Sequence, residues 1–180
     1  MNVANLQVTT LGEMVNIIKE NQTAVDFSSR DFRNAMGKFA TGVVVISSFH
    51  DGQPHAMTAN AFMSGSLDPA LVLVSVDKKA TSHQKISLSE SFGISILSEN
   101  QINVSNHFAG KIDESFSPEF DYLNGFPVIK DASVQLVTKL QFVYPCGDHT
   151  LFVGLVMSLK QQEGKTPLVF HTGKYSKIEC

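Results

Sequence analysis

Four short stretches of the chain carry side chains whose types and spacing can do chemistry. Gly147-Asp148-His149 sets a carboxylate and an imidazole at the mouth of the apolar run Leu151-Phe152-Val153, where the acid can fix the ring's tautomer and leave the other nitrogen for a ligand. The same pair also reads as a strand-end histidine bonded to its neighbour. Lys78-Lys79-Ala80-Thr81-Ser82-His83 places two ammonium groups and two hydroxyls at an expected helix start, where free backbone N–H groups add to their attraction for a phosphate. An ordinary helix cap beside solvated lysines gives the same pattern. In Met57-Thr58-Ala59-Asn60-Ala61-Phe62-Met63-Ser64, small side chains let a flat ligand approach the backbone while Thr58, Asn60 and Ser64 offer hydrogen-bonding groups. The alternative is a twisted strand with bulges at its small residues. His107-Phe108-Ala109-Gly110 is the fourth candidate, and it reads equally as a helix end with a favourably placed histidine.

Familiar catalytic devices are missing, which narrows the chemistry. No G-x-G-x-x-G follows a strand, and the stretch from Gly37 to Gly42 lacks the Lys-Ser/Thr of a phosphate-binding loop, so a nucleotide must be held in another way. There is no G-x-S-x-G and no histidine pair at i, i+4, which weakens hydrolase and zinc readings. His50 and His55 flank a turn and make a conceivable metal pair, but solvated polar residues fit that position as well, and no metal site is expected. Cys146 and Cys180 form no CxxC, so neither a disulfide framework nor a thiolate site is suggested, and a reduced, cytoplasmic protein is expected. A net charge of −3 with dispersed Lys and Arg argues against nucleic acid or an anionic membrane as partner. The N-terminus lacks the basic-then-apolar order of a secretory signal.

The elements that must position these residues follow from the apolar pattern. At 180 residues, 43% of them apolar, the chain can build one domain with a substantial core. Leu11, Met14, Val15 and Ile18 share one helix face and form an appendage over 1–26, ahead of a main domain over 27–180. A second helix is expected from a Ser29 cap, burying Phe32, Ala35 and Met36. From Gly42 the pattern becomes strand-like. GVVVISSF leads through the Asp51-Gly52 hairpin signal into HAMTANAFMSGSL, read as one strand, and after Asp68-Pro69 comes LVLVSVD. KKATSHQKISLS reads as a short helix, SFGISIL as a strand, and ENQINVSNHFAG as a helix with Gly110 at its end. Residues 111–131 read as a long surface loop. Val134, Leu136, Leu140, Phe142 and Tyr144 share one parity and Gln135, Lys139 and Gln141 the other, a long half-buried strand. HTLFVGLVMSLK and PLVFHTG supply the last strands. Many strands joined by short turns favour an antiparallel sheet or small barrel with helices outside it.

The succession Phe32-Arg33-x-Ala35-Met36-Gly37-x-Phe39-Ala40-Thr41-Gly42-Val43, Thr58-Ala59-Asn60-Ala61-Phe62-x-Ser64, Ser66-Leu67-Asp68-Pro69, His107-Phe108-Ala109-Gly110, Gly147-Asp148-His149 and Pro167-Leu168 resembles the short-chain flavin reductases that serve two-component flavin monooxygenases. The resemblance runs from about residue 31 to 175. It implies a mainly β fold, a split antiparallel β-barrel of the FMN-binding Greek-key type with peripheral helices. It also implies a homodimer with FMN or FAD near the subunit interface. The activity implied is oxidation of NADH or NADPH with hydride transfer to the flavin, which then passes to a separate monooxygenase. NADH is favoured because basic residues are too sparse for a 2′-phosphate pocket.

Position by position, the resemblance makes Thr58, Ala59, Asn60, Ala61 and Ser64 the edge that binds the flavin ring. Family members commonly carry a hydroxyl at the position of Ala80, so Lys79, Thr81 and Ser82 become the candidates for the flavin phosphate. Phe108, Ala109 and Gly110 match the segment that closes over the flavin tail, and Tyr175 an aromatic position near the C-terminus. His149 matches a histidine beside the nicotinamide, with Asp148 fixing its tautomer. Two other readings stay open: a flavin-binding protein or oxidase without NAD(P)H activity, and a non-catalytic barrel that binds another small ligand.

Overall fold

The computed structural model describes residues 26–178, so the apolar helix face expected at Leu11 to Ile18 and the terminal Cys180 lie outside the described residues. The chain divides into two compact units, one ending at Met36 and the other beginning at Gly37.

The described part of the first unit is one helix, α1 (Ser29–Met36). Its cap is Ser28, one residue earlier than expected, because the acid three residues beyond Ser28 completes a reciprocal pair. The Asp31 N–H donates to Ser28 Oγ at 3.1 Å and the Ser28 N–H to Asp31 Oδ2 at 3.0 Å. Those bonds hold the Asp31 carboxyl below its ordinary range. Phe27 and Phe32, flanking the cap, stack at 5.9 Å, the hydrophobic staple of such a start. Phe32 and Met36 are exposed, so the buried face expected for them is not observed.

In the second unit, turn chemistry lays out the sheets. Asp51-Gly52 has positive φ at both positions and joins β2 (Val44–His50) to β3 (Gln53–Ala59), as the tight hairpin signal predicts. Asn124-Gly125 does the same for β7 (Phe120–Leu123) and β8 (Phe126–Ile129), so the expected long loop over 111–131 contains a hairpin. Thr172-Gly173 joins β11 (Val169–His171) to β12 (Lys174–Ser176), which pair with the short β1 (Thr41–Gly42).

The main sheet has seven strands, all neighbours antiparallel, in the order β3, β2, β6 (Ser91–Ile96), β9 (Val134–Cys146), β10 (His149–Gln161), β5 (Ala70–Asp77) and β4 (Phe62–Leu67). Helices α2 (Thr81–Leu88) and α3 (Ile102–Phe108) complete the unit. Strand β2 is buried on both faces. Val44 and Ile46 join the cluster of Val74, Phe92 and Phe152, while Val43 and Val45 join that of Leu97, Val104 and Leu168. This explains its unbroken apolar run.

Two expectations are corrected here. The stretch HAMTANAFMSGSL is two strands at opposite margins of the sheet, because the Phe62 N–H bonds back to Asn60 O at 3.0 Å and turns the chain between Ala59 and Phe62. The ladder is therefore open: β3 and β4 end the sheet, linked by Asn60-Ala61 through the backbone and not by strand pairing, and the fold is mainly β with a large antiparallel sheet rather than a hydrogen-bonded barrel. Strand β9, expected to be half-buried by parity, divides along its length. Through Lys139 it lies between β6 and β10 and is mostly buried; Leu140 is still half-buried against the core, and beyond it only β10 pairs with the strand and it is exposed. Register shifts in the β9–β10 ladder, where Gln141 and Met157 face no partner, break the simple alternation.

Candidate functional site

The sequence-selected residues assemble in two places. The first is a cavity of about 190 Å³ lined by Val43, Thr58, Ala59, Asn60, Ser105, Ala109, Lys111, Phe170 and Tyr175. Strand β3 delivers Thr58 and Ala59 to it, and α3 delivers Ser105. Helix α3 ends because Gly110, at φ 84°, takes the left-handed conformation that lets the Gly110 N–H reach His107 O and the Lys111 N–H reach Asn106 O. That turn swings Ala109 and Lys111 onto the cavity wall. Three hydroxyls lock the cavity together. Thr58 donates to Ser105 O at 2.8 Å, Ser105 and Tyr175 hydroxyls meet at 2.8 Å, and Tyr175 donates to Asn106 Oδ1 at 3.2 Å. Phe170 meets Tyr175 edge-on at 5.6 Å.

The second place is the rim where β5, α2 and the β9–β10 turn converge. Gly147-Asp148 forms a two-residue turn, with Gly147 at φ 57° supplying the positive φ that its first central position requires, and His149 opens β10 opposite Asp77. Lys78 clamps this turn: its Nζ donates to Gly147 O at 2.5 Å and its N–H to Asp148 O at 3.0 Å. His83 Nε2 lies 2.8 Å from Thr150 Oγ1 and ties α2 to β10. Lys79 makes no ion pair among the described residues; its N–H donates to Asp77 Oδ1 at 2.8 Å. Ala80 occupies the cap position of α2 and brings no side-chain bond to it, so no side chain caps the helix start, and the His83 N–H bonds to Ala80 O at 2.9 Å. Thr81 is exposed at that start and Ser82 is buried.

At the tip, His149 Nδ1 and Asp148 Oδ1 are 2.7 Å apart. This bond, with the ring's positive charge when protonated, holds the Asp148 carboxyl below its ordinary range. In the neutral ring it assigns the proton to Nδ1 and leaves Nε2 as an acceptor. Strand β5 runs between the joint next to Asn60 and the rim: the Ser75 N–H donates to Ala61 O at 3.0 Å, and Asp77, two residues further, faces His149.

Other selected residues are placed differently. Ser64 lies in β4 beside a bulge and outside the cavity lining, and Ala61 is exposed at the joint between β3 and β4. Phe108 packs against the second core cluster, edge-on to Phe120 at 5.9 Å, and is part of the wall's support, not of its surface. Sequence reasoning missed Val43, Ser105, Lys111 and Phe170. Lys111 directly follows the selected His107 to Gly110 stretch, so one more residue of attention would have found it. His55 Nδ1 accepts from Lys85 Nζ at 2.7 Å, and among the described residues no group of three metal-ligating side chains occurs. A larger and more open hollow of about 430 Å³, between the end of α2 and β9, includes none of the selected residues.

A cavity of this size is below the usual range for a whole ligand of about 300–1,000 Å³, but it suits one ring system with the rest of the ligand lying outside. Its walls are apolar with a few polar groups, and the uncapped start of α2 with Lys79 offers a separate place for a phosphate. The residues present thus fit a flavin nucleotide. A family model described as flavin reductase like domain matches residues 36–179. The chain belongs to this family. The flavin reductase like domain spans all seven strands of the main sheet and both neighbourhoods just described. Similar to the chain is the "NADH-dependent flavin reductase" of Rhodococcus sp, 43% identical over 82% of this chain and 85% of that protein. Also similar is the "4-hydroxyphenylacetate 3-monooxygenase, reductase component" of Thermus thermophilus, 35% identical over 82% of this chain and 95% of that protein. Among solved structures, the flavin reductase PheA2 in its native state superposes with a TM-score of 0.82 at 47% identity, covering 86% of this chain and all of that one.

Proposed function

We propose that the chain is an NADH-dependent flavin reductase that reduces FMN or FAD and hands the reduced flavin to a separate monooxygenase. The observation that carries this is the convergence of Thr58, Asn60, Ala109 and Tyr175 on one cavity, in a chain whose similar proteins bear that name. When bound, the flavin supplies the hydride acceptor, and the protein has only to orient the two cofactors and keep the ring dry. Ala59 and Ala109 leave room for a ring to approach the backbone, and the Thr58–Ser105–Tyr175 bonds hold the walls at fixed spacing. Lys79, Thr81 and the start of α2 receive the flavin phosphate. His149, its tautomer set by Asp148, anchors the nicotinamide nucleotide through Nε2 and carries no obligatory proton.

The open sheet is read as a split barrel, since Asn60-Ala61 joins its two margins. A homodimer is supported by an exposed apolar face. Met63, Leu73, Val153 and Phe142 line up across β4, β5, β10 and β9, Val153 buried and the others half-buried or exposed, with Leu151 and Tyr144 in the adjacent row. Phe142 and Tyr144 are 45% and 46% exposed and stack at 6.0 Å. His149 stands on that same face two residues before Leu151, which puts the nicotinamide anchor beside the seam. No helix among the described residues is long and apolar enough to cross a membrane, and a cytoplasmic site of action is proposed.

The test is NADH oxidation by the purified chain with FMN, FAD and riboflavin compared. Rapid anaerobic bleaching of at least one flavin is expected; none would reject the reading. In the same preparation, sedimentation is expected to give a dimer that Tyr144→Asp weakens.

A further inference from the structure

The cavity contains more hydrogen-bonding groups than it has to offer. The Thr58 hydroxyl is committed to Ser105 O, the Ser105 hydroxyl to Tyr175, and the Tyr175 hydroxyl to Asn106. Among the described residues, two side chains of the lining remain without such a partner, the Asn60 amide and the Lys111 ammonium. Lys111 makes no ion pair among the described residues. The nearest acid in sequence, Asp113, is occupied by the Ser115 N–H and hydroxyl at 2.9 and 2.6 Å. Among the described residues no carboxylate lines the cavity, and Lys111, an exposed side chain at its edge, is the one cation beside the apolar Val43, Ala59, Ala109 and Phe170. A cation beside low-polarity surface acts more strongly than one in open water, and it discriminates between ligands by charge.

We propose that Lys111 makes this cavity prefer the reduced, anionic form of the flavin over the oxidised, neutral form. The inference rests on the flavin reductase reading and deepens it. Two electrons and one proton leave NADH as hydride, NAD⁺ is released, and the flavin gains one negative charge with no further proton required. The group that balances that new charge lowers the free energy of the reduced state alone, and Lys111 is placed on the wall to do so. The Gly110 turn fixes where it emerges: Lys111 N–H is held by Asn106 O at 2.9 Å. Lys111 thereby acts on the driving force of the reaction and on how long reduced flavin is retained before transfer.

Binding, not turnover, tests this. Dissociation constants for oxidised and dithionite-reduced FMN and riboflavin are measured anaerobically for the wild-type chain, Lys111→Met and Lys111→Arg, at low and high salt. The wild type is expected to bind reduced flavin more tightly than oxidised. Lys111→Met is expected to shrink that preference about tenfold, the effect of one partly screened charge, with Lys111→Arg restoring most of it and salt eroding it. Riboflavin should show the same loss, since it lacks the phosphate. Equal weakening of oxidised and reduced FMN with riboflavin unaffected would overturn the proposal and make Lys111 a phosphate ligand, and unchanged constants would overturn it outright. A wild-type chain that binds neither flavin would reject the underlying function instead.

Discussion

The cavity and the rim are built from similar residue types and treat them in opposite ways. In the cavity, Thr58, Ser105, Tyr175 and Asn106 satisfy one another, and Ser105 is fully buried. At the rim, Lys79 and Thr81 stay open and exposed, Ala80 leaves the helix start without a side-chain cap, and Asp148 and His149 pair in view of solvent. The first arrangement, Asn60 and Lys111 apart, is scaffold and the second is reach. A hydrogen bond closed inside the protein contributes stability; a donor left open contributes affinity only when a ligand arrives.

The contrast can be broken most forcefully at Phe108. It belongs to the support of the cavity, so Phe108→Ala should lower stability by about 2–3 kcal/mol in urea titrations, as truncation of a partly buried phenylalanine does. Retained stability with lost flavin binding would instead make Phe108 a ligand contact. Thr58→Val should cost about 1 kcal/mol, the worth of one closed hydrogen bond whose partner carbonyl is left wanting. At the rim the sign reverses for Ala80→Ser, which supplies the missing cap to α2 and should add about 1 kcal/mol. His149→Ala should change stability by less than about 0.5 kcal/mol while raising the Michaelis constant for NADH several-fold. An unchanged constant removes His149 from the site, and a large loss of stability erases the distinction between rim and cavity. The smallest effect lies in Asp148. Its carboxyl should titrate below the ordinary value of about 3.9 in NMR, and move up in His149→Ala. Because the folded value is the lowered one, what the pair contributes is present above the ordinary carboxylate range and disappears as pH falls through the lowered value.

Much of this was legible because it is local. Asp51-Gly52, Gly110 and the β-branched run at Val43 to Ile46 each specify their own conformation, and the structure follows them. Asn124-Gly125 carried the same signal as Asp51-Gly52 but was hidden by Pro118, Pro127 and the surrounding charges, which read as loop. Pro127 is nonetheless accommodated, because β8 pairs only with β7 and the Pro127 carbonyl accepts the Ser47 hydroxyl at 2.6 Å. What stayed hidden is non-local. Nothing in Ser105 itself announces that its carbonyl will meet Thr58, 47 positions earlier, or its hydroxyl Tyr175, 70 positions later. Likewise the division of β9 depends on where β6 stops beside it, a property of another strand.

The Asn60-Ala61 joint reaches further than the break in one strand. Sheet margins are ordinarily independent places where pairing can slip or a foreign strand can add. Here the two margins are one continuous stretch of chain, with the joint pinned to β5 through Ala61 O. A slip of β3 by one residue would take Thr58 away from Ser105 and pull on β4 at the far side of the sheet at the same time. An error at either margin is therefore felt at both, which makes this short, small-residue corner the proofreader of the sheet's alignment.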